Sequence, residues 1–283
     1  MGAHFHKYHA LGNDMVVIDP ATCSIDLAPA AIRLICDRHV GVGADGVCYG
    51  PLPGQTHPLT MRFFNPDGSE AEKSGNGLRV FARYVWDAGY VNGRSFTVAI
   101  NGERIPVQVL DETTTRLALG MGQLTFHSAD IPVSGPPRMV VAEIMVFSGQ
   151  EYEVTAVSVG NPHCVVFTEE PDAVRTFGPI IETAPVFPNR TNVQFVRIID
   201  EHTIQIEIWE RGAGYTLASG TSACAAAGAA IKTGRCQSPI EVHMAGGTAE
   251  VHIDGSWQVT LTGTVTAVYR GTFASDFLTS YAS

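Results

Sequence analysis

The stretch that decides the fold is NPDGSEAEKSGNG at residues 65–77, because a related stretch, ERGAGYTLASGTS, follows at 210–222. The two stretches are separated by a constant shift of 145 positions. Ser74 falls on Ser219, and each serine stands before a Gly and a helix-like run that ends at another Gly. The chain therefore consists of two related halves, each with one polar residue at the start of a helix.

The match between the halves extends beyond these motifs. Residues 64–109 align with 209–254 without a gap. A second repeated pattern lies upstream in each half, where Gly12-Asn13 and Gly160-Asn161 each precede a pair of valines. We expect one site between the halves with a mirrored pair of groups, an arrangement that suits chemistry on both faces of one carbon.

Strand patterns dominate the chain, as short Val- and Ile-rich or alternating runs separated by Gly, Asp or Asn. Helical patterns are fewer and cover residues 28–38, 76–88 and 221–233. The last two are apolar on nearly every side, so both helices should be buried. We predict an α/β (α+β) fold of two pseudo-symmetric domains, each a curved, mostly antiparallel sheet around one central helix.

The Pro-, Ser- and Gly-rich residues 128–138 predict the boundary between these domains. We assign residues 1–127, together with 264–283, to the N-terminal domain. Residues 128–263 then form the C-terminal domain. The last strand pattern is expected to return to the first half.

The composition excludes several classes of function. The net charge of −10 argues against a nucleic-acid partner or an anionic membrane surface. The sequence contains no uninterrupted run of 18 apolar residues, so we predict no membrane span. The six cysteines lack C-x-x-C spacing, which favours reduced thiols of a cytoplasmic protein over a zinc site, and we predict no metal. Three lysines without a phosphate-binding loop argue against pyridoxal phosphate, and we predict no cofactor.

The two helix starts suggest an anion site. A buried helix N-terminus offers unpaired N–H groups and a partial positive charge. Gly75, Asn76, Gly220 and Thr221 would supply backbone donors. An α-carboxylate is the obvious anion for such a cradle.

Five motifs, in this order along the chain, closely resemble the diaminopimelate epimerase family: HALGND at 9–14, GVGADG at 41–46, NPDGSEAE at 65–72, GNPH at 160–163 and ERGAG at 210–214. The resemblance runs from about residue 5 to residue 273. It implies cofactor-independent inversion at an amino-acid α-carbon, in which one residue removes the proton and an opposed residue returns it. It also implies a role in lysine biosynthesis and a homodimer.

The resemblance assigns roles by matched position. The residues it implies for proton transfer are Ser74, Ser219, His163 and Glu210. The residues it implies for binding a small zwitterionic amino acid are Asn13, Asn65, Gly75, Asn76, Asn161, Asn192, Glu210, Arg211, Gly220 and Thr221. Within this set Glu210 and Arg211 resemble a charged clamp on the ammonium and carboxylate groups.

The chain departs from the family at both proton-transfer positions, which are cysteine there and serine here. A serine hydroxyl is far less acidic than a thiol, so Ser74 and Ser219 would need help from His163, Lys73 or Tyr215. Lys73 and Tyr215 are themselves departures, as is Ser222, and these changes favour a naturally diverged active site.

Other interpretations stay open. Each serine could be only an N-cap. Lys73 could be a solvated side chain, His163 a core histidine, and Glu210-Arg211 a structural ion pair. A different isomerase on the same scaffold could move a proton along a conjugated acid with Glu210, Glu72 or His163 as the base. A third possibility is a catalytically inactive amino-acid-binding homologue or variant.

Overall fold

The computed structural model describes residues 3–54, 59–71, 73–113 and 115–279, so that Glu72 lies outside the described residues. The helices are α1 (Pro29–Cys36), α2 (Gly75–Asp87), α3 (Val174–Glu182), α4 (Gly220–Lys232) and α5 (Ser275–Thr279). The strands are β1 (His4–Ala10), β2 (Asn13–Ile18), β3 (Val47–Tyr49), β4 (Leu59–Phe64), β5 (Ser95–Ile100), β6 (Glu103–Val109), β7 (Arg116–Gln123), β8 (Glu143–Phe147), β9 (Gln150–Ser158), β10 (Pro162–Phe167), β11 (Asn192–Asp200), β12 (Thr203–Glu210), β13 (Gly214–Thr216), β14 (Ile240–Met244), β15 (Gly247–Ile253), β16 (Gln258–Thr264) and β17 (Thr266–Thr272).

The chain divides into two compact units. The first unit comprises Met1–Leu119 and Gly263–Ser283, and the second comprises Gly120–Thr262. The boundary between Leu119 and Gly120 lies within β7, before the Pro-, Ser- and Gly-rich residues 128–138. Those residues belong to the second unit, where Ile131 and Val133 are buried in its core.

The two units share one internal topology. In the first, β1 and β2 form an antiparallel hairpin, β2 is parallel to β3, β3 is antiparallel to β4, and β4 is parallel to β5. In the second, β9, β10, β11, β12 and β14 repeat the same series of pairings. Each parallel step contains a helix, as a crossover connection requires. Antiparallel pairs predominate, as expected from the sequence, but the parallel steps break the simple meanders that strand spacing suggested.

The edge strand of the first unit comes from the end of the chain. β17 pairs antiparallel with β1. In the second unit β8 has the same place beside β9, although it directly precedes β9 in the sequence. The first unit is therefore built from both ends of the chain.

The two repeat helices, predicted at 76–88 and 221–233, are confirmed with one-residue shifts. Every residue of α4 from Gly220 to Ala230 is buried, and α4 contacts six strands of its unit, β9 to β12, β14 and β15. Ala, Gly and Cys fill this helix because neighbouring strands approach from all sides. α2 likewise buries ten of its thirteen residues and packs on β1, β2 and β3.

Helix α3 was not predicted, because Gly178 and Pro179 interrupt its pattern. The structure explains the glycine. A Cβ at Gly178 would lie 2.6 Å from Cβ of Trp209, whose indole packs on this helix. No helix within the described ranges has both the length and the apolarity needed to cross a bilayer.

Candidate active site

Ser74 caps helix α2 in the first unit. Its backbone is extended, and its Oγ accepts a hydrogen bond from the Gly77 N–H at 3.0 Å. Ser74 is thus the N-cap of α2. The same geometry places Oγ at the positive end of a buried helix, where an anionic form would be stabilised by about 0.3–2 kcal/mol.

Ser219 has the corresponding position in the second unit. It is buried, and its Oγ accepts from the Ser222 N–H at 3.4 Å at the start of α4. A second neighbour, Thr221 Oγ1, also lies 3.4 Å away. The two serines therefore share one local structure, which the sequence repeat predicts.

Gly77→Ala should destabilise the start of α2 even though alanine is the better helix former. The added Cβ would lie 2.8 Å from Phe63 Cδ2 and 3.1 Å from Ser74 Oγ. We expect urea unfolding to show a loss of about 1–3 kcal/mol. The control is Gly93→Ala, whose Cβ would meet nothing closer than 3.8 Å. Equal stability of the two variants would show that the Phe63 contact does not constrain the cap.

The Gly-Asn turns bring an asparagine to each helix start. Gly12 and Gly160 have φ of +81° and +101°, values that favour glycine and turn the chain sharply between strands. In the first unit Asn76 Nδ2 donates to Asn13 Oδ1 at 3.1 Å. Asn13 Nδ2 in turn donates to Asp45 Oδ2 at 3.0 Å.

In the second unit the corresponding asparagine is Asn161. Its Nδ2 donates to Thr221 Oγ1 at 3.4 Å, and its Oδ1 lies 3.0 Å from His163 Nε2. These contacts connect Ser219, Thr221, Asn161 and His163. Four residues identified from two separate stretches of the sequence are thus brought together.

His163 is fully buried and neutral. Desolvation lowers the pKa of its imidazole to about 3, and the positive charge of Arg211 contributes in the same direction, while Gln194 opposes it. A neutral ring that faces Asn161 Oδ1 must donate its Nε2 proton. His163 is therefore suited to hold Asn161 in place and poorly suited to accept a proton near neutral pH.

The stability of the protein should fall below pH 6.5 because of this histidine. The pKa of His163 is about 3 when folded and about 6.5 when unfolded, so the unfolded chain binds a proton that the folded protein refuses. The contribution is about 1.4 kcal/mol per pH unit, or roughly 2 kcal/mol at pH 5. Denaturant unfolding at pH 7 and pH 5 should show this loss in the parent and less of it in His163→Gln. The exposed His127→Gln serves as control, and an identical pH dependence in His163→Gln would contradict the assignment.

Asn192 holds the loop that carries Arg211. This buried amide donates to Pro162 O at 2.8 Å and accepts from the Arg211 N–H at 2.9 Å. The Arg211 guanidinium donates to Asn189 O at 3.2 Å. Glu210 ends β12 beside it and is half-buried. The Asn192 side chain thus bonds mainly to backbone atoms. It fixes the backbone of Arg211, whose side chain is partly exposed.

Asn65 bonds within its own turn, where its Nδ2 donates to Ser69 Oγ at 3.0 Å.

The interpretation of Lys73 as a solvated side chain is wrong. Its side chain is 7% exposed and pairs with Glu103 at 2.6 Å. Lys73 can be buried because its charge is paired with Glu103. The sequence alone does not show that these two residues meet.

Tyr215 is also engaged away from the helix start. Its hydroxyl donates to the buried Glu207 at 2.7 Å, and Arg175 lies 3.6 Å above its ring. Desolvation and Glu207 raise the pKa of Tyr215. Two of the three side chains considered as helpers for the serines, Lys73 and Tyr215, therefore each have a carboxylate partner instead.

Sequence reasoning missed several residues that support the site. Gln194 donates to Ser222 Oγ at 3.0 Å beneath α4, and fully buried Arg79 donates to Asn76. One signal was available, since Arg79 is a charged residue within a helix judged too apolar for the surface. Gln194 offers no comparable signal in its strand.

Comparison with known proteins identifies the family of this chain. A family model described as diaminopimelate epimerase matches residues 5–127 and 155–268. Diaminopimelate epimerase 2 of Nostoc sp. is 46% identical over 274 residues, which cover 96% of each chain. The diaminopimelate epimerase of Pelotomaculum thermopropionicum is 40% identical over 277 residues, covering 95% of this chain and 98% of that protein.

A solved structure supports the fold. The hydroxyproline epimerase of Agrobacterium vitis, with bound trans-4-hydroxy-L-proline, superposes with a TM-score of 0.70 at 14% identity, covering 96% of this chain and 92% of that one. The family match and the two close relatives, which extend over nearly the full length, go further than the fold. The chain belongs to the diaminopimelate epimerase family, a family of isomerases.

Proposed function

We propose that this chain is a cofactor-independent amino-acid epimerase that acts on diaminopimelate, with Ser74 and Ser219 at the two proton-transfer positions. The observation that carries the proposal is the repeated helix start. In each unit a serine caps a buried helix, and an asparagine from a Gly-Asn turn bonds the residue two positions after that serine. The substrate follows from the names of the relatives.

Substrate binding in this proposal uses the charges and donors already described. Arg211 and Glu210 hold the charged groups of the amino acid. The backbone N–H groups of Gly75, Asn76, Gly220 and Thr221 hold its α-carboxylate, because helix N-termini favour anions. Asn13, Asn65, Asn161 and Asn192 supply or support amide contacts.

Proton transfer by two serines should be slow. The helix ends favour an anionic Oγ, but their 0.3–2 kcal/mol falls well short of what a serine hydroxyl needs without a base. His163 cannot hold a proton near neutral pH, since its pKa is about 3. Lys73 and Tyr215 are paired with Glu103 and Glu207.

Solvent deuterium incorporation tests the proposal. The protein would be incubated in D2O with meso- and L,L-diaminopimelate, and exchange would be followed by mass spectrometry and NMR. Exchange at the α-carbon with inversion supports epimerisation. Exchange at another carbon would indicate a proton-shifting isomerase instead of an epimerase. Binding without any exchange would indicate an amino-acid-binding homologue.

A homodimer and a cytoplasmic location complete the proposal. The six cysteines are all buried free thiols, a state that a reducing compartment maintains. Sedimentation equilibrium should give twice the mass of the 30.3 kDa chain. A monomer mass across the micromolar range would remove the dimer from the proposal.

A further inference from the structure

A line of hydrogen bonds joins four side chains at the start of α2 in the first unit. Arg79 Nη2 donates to Asn76 Oδ1, and Asn76 Nδ2 donates to Asn13 Oδ1 at 3.1 Å. Asn13 Nδ2 donates to Asp45 Oδ2 at 3.0 Å. Arg79 is completely buried and Asn76 is 4% exposed, so water competes little for the inner bonds.

The two ends of this line carry opposite and inflexible hydrogen-bonding roles. An ionised carboxylate only accepts, and a guanidinium only donates. Asp45 also forms an ion pair with Arg38, whose Nη2 lies 2.7 Å from Asp45 Oδ1. Asn13 must therefore turn its N–H group towards Asp45, and Asn76 must turn its carbonyl towards Arg79. Flipping either amide would place like groups against each other.

The second unit lacks this arrangement at the equivalent positions. Asn161 has the opposite sense, with Oδ1 towards His163 and Nδ2 towards Thr221. Both of those partners are neutral, and each can donate or accept. The residue that corresponds to Arg79 by the repeat is Cys224. The charged line is therefore not a requirement of the shared topology but a feature of the first half alone.

We propose that Arg79 and Asp45 are positioning residues, whose fixed charges determine which end of each amide Asn76 and Asn13 turn towards the start of α2. The role of the two amides in ligand binding rests on the proposed function. Their orientation does not, because it follows from contacts within the first unit. The two halves then differ in kind, since one presents fixed polar groups and the other presents groups whose roles can reverse.

Side-chain amide NMR tests the orientation directly. Protein labelled with 15N-asparagine would be compared with Asp45→Asn and Arg79→Met, and each signal would be assigned by its loss in the matching Asn→Asp variant. We expect Asp45→Asn to shift or double the Asn13 signals, because the new amide can donate as well as accept. Arg79→Met should do the same to Asn76. Asn161 should be unchanged in both. Unchanged Asn13 signals in folded Asp45→Asn would overturn the proposal.

Two further variants separate positioning from folding. Arg79→Lys retains a buried cationic donor and should restore the Asn76 signals that Arg79→Met disturbs. Arg83→Met, on the same helix, removes an arginine paired with Asp87 at 2.8 Å and should leave Asn13 and Asn76 unchanged. If Arg79→Met does not fold, Asp45→Asn still decides, because the Asp45 side chain is 39% exposed.

Ligand affinity then tests the consequence for the site. Calorimetry with L,L-diaminopimelate should show binding weakened on the order of tenfold in Asp45→Asn, as expected for loss of a charged hydrogen-bond partner. Arg83→Met should match the parent. Reorientation of Asn13 without a change in affinity would overturn the positioning role. If the parent itself does not bind this ligand, the proposed function fails, and the amide signals still decide the orientation.

Discussion

Replacing both serines with cysteine, Ser74→Cys with Ser219→Cys, should raise α-proton exchange on meso- and L,L-diaminopimelate by on the order of 100-fold or more. A thiol has an unperturbed pKa of about 8.5, and a helix N-terminus lowers it further, so one group can rest as thiolate and the other as thiol. The polar residues around each helix start would already be in place, as both N-caps show. Deuterium incorporation measured by mass spectrometry would follow the change.

The single variants provide the control for this experiment. Ser74→Cys alone and Ser219→Cys alone each supply one thiol, so each should gain less than the double variant. The buried thiols of Cys48 and Cys164 should not contribute, because burial raises their pKa. No gain in the double variant, with folding intact, would show that the surroundings of the two positions have been rebuilt for other chemistry.

Arg211→Ala should weaken ligand binding by on the order of 100-fold, the effect of losing about 3 kcal/mol from a charge-assisted, bidentate contact. The backbone of Arg211 is held by Asn192, so the substitution removes the guanidinium while the loop keeps its anchor. Calorimetric titration with diaminopimelate measures the change.

Arg197→Ala is the matched control for Arg211→Ala. Arg197 lies in the same unit on β11, is exposed, and bonds Gln205 rather than the loop of the site. We expect its affinity to equal that of the parent. Equal affinity in Arg211→Ala would remove this residue from the site, and equal losses in both variants would indicate a non-specific effect of charge.

The parts of the fold that the sequence predicted are those with strong local signals. α2 and α4 begin after a capping serine, and the glycines that follow them have φ of +75° and +72°. Their ends are therefore encoded locally. α3 was missed because its Gly178 is required by the close approach of Trp209, a residue distant in sequence. Local patterns cannot report such a contact.

The candidate site shows the same division. Asn13 and Asn161 were found because a turn glycine precedes each of them in a repeated pattern. The state of His163, by contrast, depends on complete burial, and the position of Lys73 depends on Glu103. These properties arise from neighbours brought together by folding, so residue type alone could not predict them.

The pairing of β17 with β1 also bears on how the protein is made. Ribosomal synthesis delivers β1 long before β17, so the first unit lacks its edge strand until residues 266–272 have emerged. The second unit is continuous from Gly120 to Thr262 and needs no later segment. Domains usually fold in N-to-C order during translation. Here the C-terminal half can be complete first, whereas the β1 edge of the N-terminal half stays open until residues 266–272 have been synthesised.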